Sequence, residues 1–167
     1  MKIKIVSAIP MIVIMIIIFC FSAQPSEQSN KSSNYIVEKI AYVIEYVNEV
    51  TNNEEDNEPV IHVEELTFVI RKLAHTLEYM ALGFCIHMHL YQYKLRKKYC
   101  IGLSIIIGGI YAFTDEYHQS FVPGRSCELR DVIIDTNGIF LGVILFLVAI
   151  RILKKRKSIC KEESIHN

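Results

Sequence analysis

The chain has 167 residues with 18 basic and 18 acidic side chains, so its zero net charge gives no indication of a nucleic-acid partner. Hydrophobic residues make up 51% of the chain and fall in long runs, which is typical of an integral membrane protein. The five cysteines are scattered, with neither a CxxC pair nor a metal-ligand spacing, so a disulfide framework is not indicated.

The first element is an almost unbroken apolar run over about residues 3–22, preceded by Lys2 and Lys4. It is long enough to cross a hydrocarbon core of about 30 Å as a helix. A cleaved signal peptide also combines a basic start with an apolar stretch. The run is long for a signal peptide, and residues 21–25 make a poor cleavage site, so we predict a retained transmembrane span.

The segment 23–65 is polar and acidic, with ten Asp or Glu residues and only two lysines. Within it, Ile36, Ile40 and Val47 belong to an apolar stripe at helical spacing. This pattern predicts a short amphipathic helix that lies on the bilayer or on the bundle. Residues 51–59 are predicted to form a turn-rich acidic linker.

Three further apolar stretches, at about residues 66–92, 99–115 and 131–151, predict three more spans. The fold predicted is therefore an all-α integral membrane bundle of four transmembrane helices. A single membrane domain would cover residues 1–154, and residues 155–167 would form a basic cytoplasmic tail.

Twelve of the 18 Lys and Arg residues lie near the N-terminus, in the loop 94–98 and in the tail 151–161. A four-span topology places these three segments on one side of the membrane. Basic loops favour the cytoplasmic side, so we predict that both termini are inside and that segments 23–65 and 115–130 are outside.

The second predicted span is unusual because Arg71, Lys72, His75 and Glu78 interrupt it. One charge at a helix centre costs about 2.5–3.5 kcal/mol on the insertion scale, so these side chains must face partners or a polar cavity. Arg71, His75 and Glu78 share one helical face. Polar partners are expected from the outer ends of the third and fourth spans: Asp115, Glu116, His118, Asp131 and Asp135.

Pro123-Gly124 predicts a turn in the outer loop, because proline fixes φ and glycine accepts a positive φ. The turn would present Arg125 at a defined bend. In the fourth span, Gly138-xxx-Gly142 is a small-xxx-small pattern that permits close contact between helices.

Four sequence motifs carry a resemblance to a known family. They are Phe21-Ser22-x-Gln24, Lys72-x-x-His75-x-x-Glu78-Tyr79, the stretch from Tyr111 through Asp115-Glu116-x-His118-Gln119 to Pro123-Gly124-Arg125, and Asp131-x-x-x-Asp135-x-x-Gly138-x-x-x-Gly142. Over about residues 5–150 the chain resembles the VanZ-like family. The resemblance implies a multi-pass protein of the bacterial plasma membrane. Founding members are linked to resistance to the glycopeptide teicoplanin, which names a process rather than a reaction.

The catalytic hypothesis makes His75 or His118 a general base positioned by Glu78 or Asp115. Lys72 and Arg125 would then bind a phosphate or carboxylate. The remaining predicted ligand-binding residues share positions in the same outer half: Tyr79, Glu116, Gln119, Asp131 and Asp135. The partners expected are membrane lipids and a lipid-linked cell-wall precursor or a glycopeptide.

Alternatives remain open at this point. The same charges would also serve as a buried ion-pair network that only fixes helix packing, or as a non-catalytic binding pocket. A metal site at His75, Glu78, Asp115, Glu116 and His118 lacks a known ligand spacing, so no metal is predicted. A proton path is the weakest reading, because polar residues thin out beyond Tyr79. The sequence assigns no cofactor and no oligomeric state.

Overall fold

The structure is a computed structural model that describes residues 2–50 and 63–166, with side chains described over 6–31, 33–42 and 65–158. Within the described ranges the chain is helical and contains no strand, which confirms the all-α class predicted for them. The helices are α1 (Lys2–Ser22), α2 (Ser26–Val50), α3 (Val63–Tyr91), α4 (Lys97–Gln119) and α5 (Leu129–His166).

Helix α3 is the centre of the molecule and packs against each of the other four helices. Its most extensive partner is α5. The core is made of apolar side chains from α1, α3, α4 and α5, which are fully or almost fully buried: Ile18, Tyr79, Leu82, Ile86, Ala112 and Ile139. The charged half of α3 therefore lies within the bundle, next to the ends of its neighbours.

The close contact between α3 and α5 depends on glycine. A Cβ atom added at Gly138 would lie 2.7 Å from the carbonyl oxygen of Thr76, and one added at Gly142 would collide with the carbonyl oxygen of Met80. Real Cβ atoms do not approach backbone oxygen so closely. The predicted role of the Gly138-xxx-Gly142 pattern in helix contact is thus confirmed.

Two contacts place the basic segments at one end of the bundle, which we call the basic end. Ser7 Oγ lies 3.0 Å from His89 Nδ1, and Lys154 Nζ donates a 3.0 Å hydrogen bond to the hydroxyl of Tyr91. The start of α1, the α3–α4 loop and the continuation of α5 therefore meet there. The opposite end, the site end, holds the last residues of α1 and α4 and the first of α5.

Among the described residues, the segment Leu129–Ser158 of α5 is long and apolar enough to cross a membrane by itself. Val6–Ser22 and Ser26–Tyr42, which meet at an angle of 102°, reach the same threshold only when counted together. Helices α3 and α4 do not reach it, because charged and histidine side chains interrupt the apolar stretch of α3, and the apolar stretch of α4 is short and has charged residues at both ends. Their outward faces nevertheless carry exposed large apolar residues: Leu73, Leu77, Ile106 and Ile110.

Two helices extend beyond their predicted limits. Helix α2 begins at Ser26, well before the apolar stripe, because its first turns dock on the rest of the bundle: Ser26 N–H donates to the Pro123 carbonyl at 3.3 Å. Helix α5 continues through the basic segment to His166, where a separate tail was expected. Lysine and arginine are good helix formers, so this segment prolongs the helix. The predicted linker 51–59 lies outside the described residues.

Candidate functional site

Asp115 joins three helices at the site end. Its carboxylate is buried, and Oδ2 accepts hydrogen bonds from Ser22 Oγ at 2.8 Å, Tyr79 OH at 2.9 Å and Gln119 Nε2 at 3.0 Å. Ser22 is the last residue of α1, and Tyr79 comes from α3. Gln119 follows Asp115 by one helical turn, so both side chains point into the bundle. A single oxygen atom thus fixes the relative positions of α1, α3 and α4.

Arg125 is presented by the predicted turn. Arg125 N–H donates to the Val122 carbonyl at 3.1 Å, and Gly124 has a φ of 76°, which together describe a type II turn with glycine at its third position. The guanidinium then donates to Gln119 Oε1 at 2.7 Å and to the Phe21 carbonyl at 3.4 Å. The predicted turn at Pro123-Gly124 is confirmed.

The charge environment of Arg125 is unusual. Burial, and secondarily the guanidinium of Arg71, lower the pKa of Arg125 from its ordinary value, while Asp115 acts in the opposite direction. Neither Arg71 nor Arg125 forms a salt bridge with a carboxylate of the described residues. Two neighbouring guanidinium groups therefore share this region, and no carboxylate of the described residues is in direct contact with either.

Lys72 differs, because it forms a salt bridge with Asp131 of α5, and each side chain is 19% exposed. This pair confirms the expectation that opposite charges on the second and fourth predicted spans meet. Nearby, Glu116 Oε1 accepts a 2.8 Å hydrogen bond from the backbone N–H of Glu128 and so ties the end of the loop to α4.

Two cavities adjoin these groups. The first, which we call the polar cleft, has a volume of about 90 Å³ and lies between α3, the loop that carries Arg125, and the start of α5. Its charged and polar lining includes the side chains of Arg71, Lys72, His75, Glu116, Gln119, Arg125, Asp131 and Asp135.

The second cavity, which we call the side cleft, has a volume of about 190 Å³ and lies between α1, α2 and α3. Glu78 lines it beside the apolar residues Phe21, Ile36 and Ile70. The two clefts share three lining residues, and these are basic: Arg71, His75 and Arg125. The clefts therefore meet at a group of cationic and imidazole side chains.

Several polar atoms around the clefts are buried and have no hydrogen-bond partner among the described residues. His75 Nδ1, Arg125 Nε and Asp131 Oδ1 belong to residues that line the polar cleft. A buried polar atom without a partner costs about 1–3 kcal/mol, which a bound ligand or water recovers. Arg125 Nε is a donor, Asp131 Oδ1 is an acceptor and His75 Nδ1 can take either role, so the site has unused hydrogen-bonding capacity of both kinds.

Comparison with protein families decides the relationship of the chain. The model of the family described as VanZ/LLP1 matches residues 7–151, which include every residue that lines the two clefts. The chain belongs to the VanZ/LLP1 family. No curated protein and no solved structure matched it. Membership makes this a VanZ-like protein linked to glycopeptide resistance and associates it with the membrane.

The VanZ-like fold brings most of the predicted site residues together. Seven of them line the polar cleft: Lys72, His75, Glu116, Gln119, Arg125, Asp131 and Asp135. Glu78 lines the adjoining side cleft, so it shares that cavity with His75. Tyr79 and Asp115 lie beneath the clefts, fully or almost fully buried, and hold the network in place rather than lining either cavity.

His118 lies elsewhere in the VanZ-like bundle. Its ring stacks on Phe19 of α1 with the ring centroids 4.4 Å apart, and it lines neither cleft. Two residues absent from the predicted set do belong to the site. Arg71 lines both clefts, and Ser22 donates to Asp115. The charge of Arg71 within an apolar span was the signal for the first, and the Phe21-Ser22-x-Gln24 motif was the signal for the second.

Metal ligation has no geometric support in the part of the VanZ-like chain that the structure describes. No group of three or more His, Cys, Asp or Glu side chains there is arranged to hold a metal ion. Cys20 and Cys127, both exposed, are free thiols.

Proposed function

We propose that this VanZ-like protein is a four-span protein of the bacterial plasma membrane, with both termini in the cytoplasm and both clefts open to the outside. The separation of a basic end from a site end supports this orientation, because basic segments favour the cytoplasmic side. The exposed apolar faces of α3 and α4 support their placement in lipid despite the interruptions in their sequences.

We further propose that the polar cleft binds the phosphate or carboxylate of a lipid-linked or cell-wall ligand and thereby lowers susceptibility to glycopeptides such as teicoplanin. One observation carries this proposal: Arg71 and Arg125 both line the cleft, and neither is neutralised by a contacting carboxylate of the described residues. Guanidinium groups match the geometry of phosphate and carboxylate oxygens. Both guanidinium groups are partly buried, and a bound anion would supply the counter-ion that no described carboxylate provides in direct contact.

If the protein modifies its ligand, His75 would be the catalytic residue. Its ring lies between the two clefts, with Glu78 lining one of them. An imidazole beside carboxylates can take and return a proton. Whether the protein modifies its ligand or only holds it depends on this residue, and Asp115 acts as a positioning residue beneath it.

The site is tested with His75→Ala, Glu78→Gln and Arg125→Gln, scoring the level of protein in the membrane and teicoplanin tolerance separately. Arg130→Gln is the matched control, because Arg130 is exposed and lines neither cleft. We expect normal levels and lost tolerance for the site variants, and both unchanged for the control. Unchanged tolerance in all three site variants would contradict the proposal. Loss of protein level instead of tolerance would favour a network that only fixes helix packing.

Enzyme and binder are separated by incubating purified protein with lipid-linked wall precursors and analysing the lipids by mass spectrometry. A product of changed mass shows catalysis, and retention of unchanged precursor shows binding. The topology is tested with an impermeant thiol reagent on intact cells, which should label Cys127 and spare Cys160. Labelling of Cys160 without Cys127 would reverse the proposed orientation.

A further inference from the structure

The side cleft differs from the polar cleft in the chemistry of its walls. Away from the three shared residues, its apolar surface comes from Phe21, Ile36, Ile70 and Ala74, while Gln24, Ser29, Ser33 and Glu78 complete the lining. The polar cleft is lined by charged groups on nearly every side. A largely apolar cavity therefore opens directly from one that is lined by charges of both signs.

Helix α2 forms one wall of the side cleft and is docked on α3 by polar contacts. Thr67 Oγ1 donates to Asn34 Oδ1 at 2.7 Å, and Arg71 Nη1 donates to Asn30 Oδ1 at 3.2 Å. The residues of α2 buried in this contact are small or apolar, Ser33 and Val37. The helix thus packs along the side of α3 that carries Arg71.

The described part of α2 exposes large apolar and aromatic side chains although the helix is otherwise polar. Tyr35, Ile36, Ile40 and Tyr42 are all substantially exposed. Exposed aromatic and aliphatic side chains on an otherwise polar helix are typical of helices that lie in the membrane interface. The side cleft therefore opens beside a helix suited to the boundary between head groups and acyl chains.

We propose that the ligand is an anionic amphiphile, with a phosphate-type head at Arg71 and Arg125 and its hydrocarbon chain in the side cleft. This inference rests on the proposed function and specifies the class of its ligand. The complementarity is twofold, because the shared residues supply positive charge and the adjoining walls supply apolar surface. Free phosphate would use only the first feature, whereas a lipid phosphate uses both.

The test compares three probes on the purified full chain in phosphatidylcholine nanodiscs: hexadecyl phosphate, inorganic phosphate and hexadecanol. Apparent dissociation constants are obtained from the rise in unfolding temperature with probe concentration. Burial of several methylene groups adds affinity to that of the head, so we expect hexadecyl phosphate to bind at least about tenfold more tightly than inorganic phosphate. Hexadecanol should bind weakly, because it offers the cations no anion.

Two matched substitutions on α3 distinguish the effect of filling the side cleft from the effect of adding a large side chain elsewhere on the helix. Ala74 lines the side cleft, so Ala74→Phe should remove the advantage of the alkyl chain and leave inorganic phosphate binding unchanged. Ala81 is exposed two turns further along the helix and lines neither cleft, so Ala81→Phe should leave all three affinities unchanged. Arg125→Gln should weaken both phosphates by about tenfold without affecting hexadecanol.

This inference would be overturned, and the proposed anion site left intact, if hexadecyl phosphate and inorganic phosphate bound with equal affinity. The same conclusion would follow if Ala74→Phe and Ala81→Phe had equal effects on the affinity for hexadecyl phosphate. Absence of binding by either phosphate would overturn both. A wild-type preference for hexadecyl phosphate that Ala74→Phe abolishes and Ala81→Phe preserves would establish the amphiphile.

Discussion

Arg125 donates a 2.7 Å hydrogen bond from Nη1 to Oε1 of Gln119. The amide nitrogen of the same Gln119 donates to the buried Asp115 carboxylate at 3.0 Å. One side chain therefore links a loop cation to the carboxylate that joins α1, α3 and α4. The two partners also fix which way the amide points, since arginine only donates and the carboxylate only accepts.

Replacing Gln119 by leucine should release Arg125 and leave one acceptor bond of Asp115 unmade. We expect a loss of about 1–3 kcal/mol in stability, because buried hydrogen-bonding groups lose their partner. The measurement is the unfolding temperature of purified protein in detergent. Gln92→Leu in the loop at the basic end is the control, and equal unfolding temperatures for the two variants would refute the linking role.

Asp115 and Asp135 should respond differently to alanine substitution although both are buried. Asp115→Ala removes the acceptor of three hydrogen bonds and leaves Gln119 Nε2 only its longer contact with Ser22 Oγ at 3.3 Å. The change should cost about 3 kcal/mol or more, seen as a sharp fall in membrane level. Among the described residues none donates a hydrogen bond to Asp135, which lines the polar cleft. Asp135→Ala should keep the protein level and alter ligand binding, and a reversed order of levels would contradict this division of roles.

The contact between α3 and α5 predicts opposite effects for two glycine substitutions. Gly142→Ala should destabilise the protein by about 1–3 kcal/mol, because its Cβ would collide with the Met80 carbonyl. Gly102→Ala meets nothing within 4 Å and should stabilise α4 by about 1 kcal/mol, since alanine is the better helix former. Thermal unfolding in detergent measures both, and a tolerated Gly142→Ala would show that α3 and α5 are further apart than described.

The salt bridge between Lys72 and Asp131 should survive exchange of its charges. Lys72→Asp or Asp131→Lys alone places two like charges together in a largely buried position, with an expected cost of about 3 kcal/mol. The double variant restores attraction and should recover most of the protein level. Independent, additive losses in the double-mutant cycle would mean that the two side chains do not pair.

Much of this architecture follows from local sequence. The apolar runs locate α1, α3, α4 and the start of α5 to within a few residues, because burial of a continuous apolar stretch in a helix depends on composition. Pro123-Gly124 predicts its turn because the turn depends on neighbouring residues, and the charges in α3 predict that partners exist because a lone charge in an apolar span is unfavourable. The pairing of Lys72 with Asp131 confirms that an unfavourable lone charge is a usable signal.

Contacts between residues far apart in the sequence were harder to predict. The early start of α2 depends on Asn30 and Asn34 meeting α3 across 41 and 33 residues, and no local pattern encodes those partners. His118 follows Asp115 and Glu116 closely in sequence, yet its helical angle turns it toward Phe19 of α1. The sequence correctly predicted His118 near the end of its helix. The direction in which its side chain points depends on how the helices pack, which the sequence did not reveal.

The central claim is that His75 lies in an outward-facing cavity beside the guanidinium groups of Arg71 and Arg125. The most direct test uses the variant His75→Cys in a protein whose Cys20 and Cys127 are changed to serine. Intact cells that carry this variant are treated with anionic and with cationic impermeant methanethiosulfonates of similar size. A second protein, which keeps His75 and has Cys127 as its outer thiol, shows how fast each reagent labels an exposed cysteine outside the cavity. We predict that His75→Cys is labelled from outside, with a higher ratio of anionic to cationic labelling than Cys127. No labelling from outside, or a preference for the cationic reagent, would contradict the account.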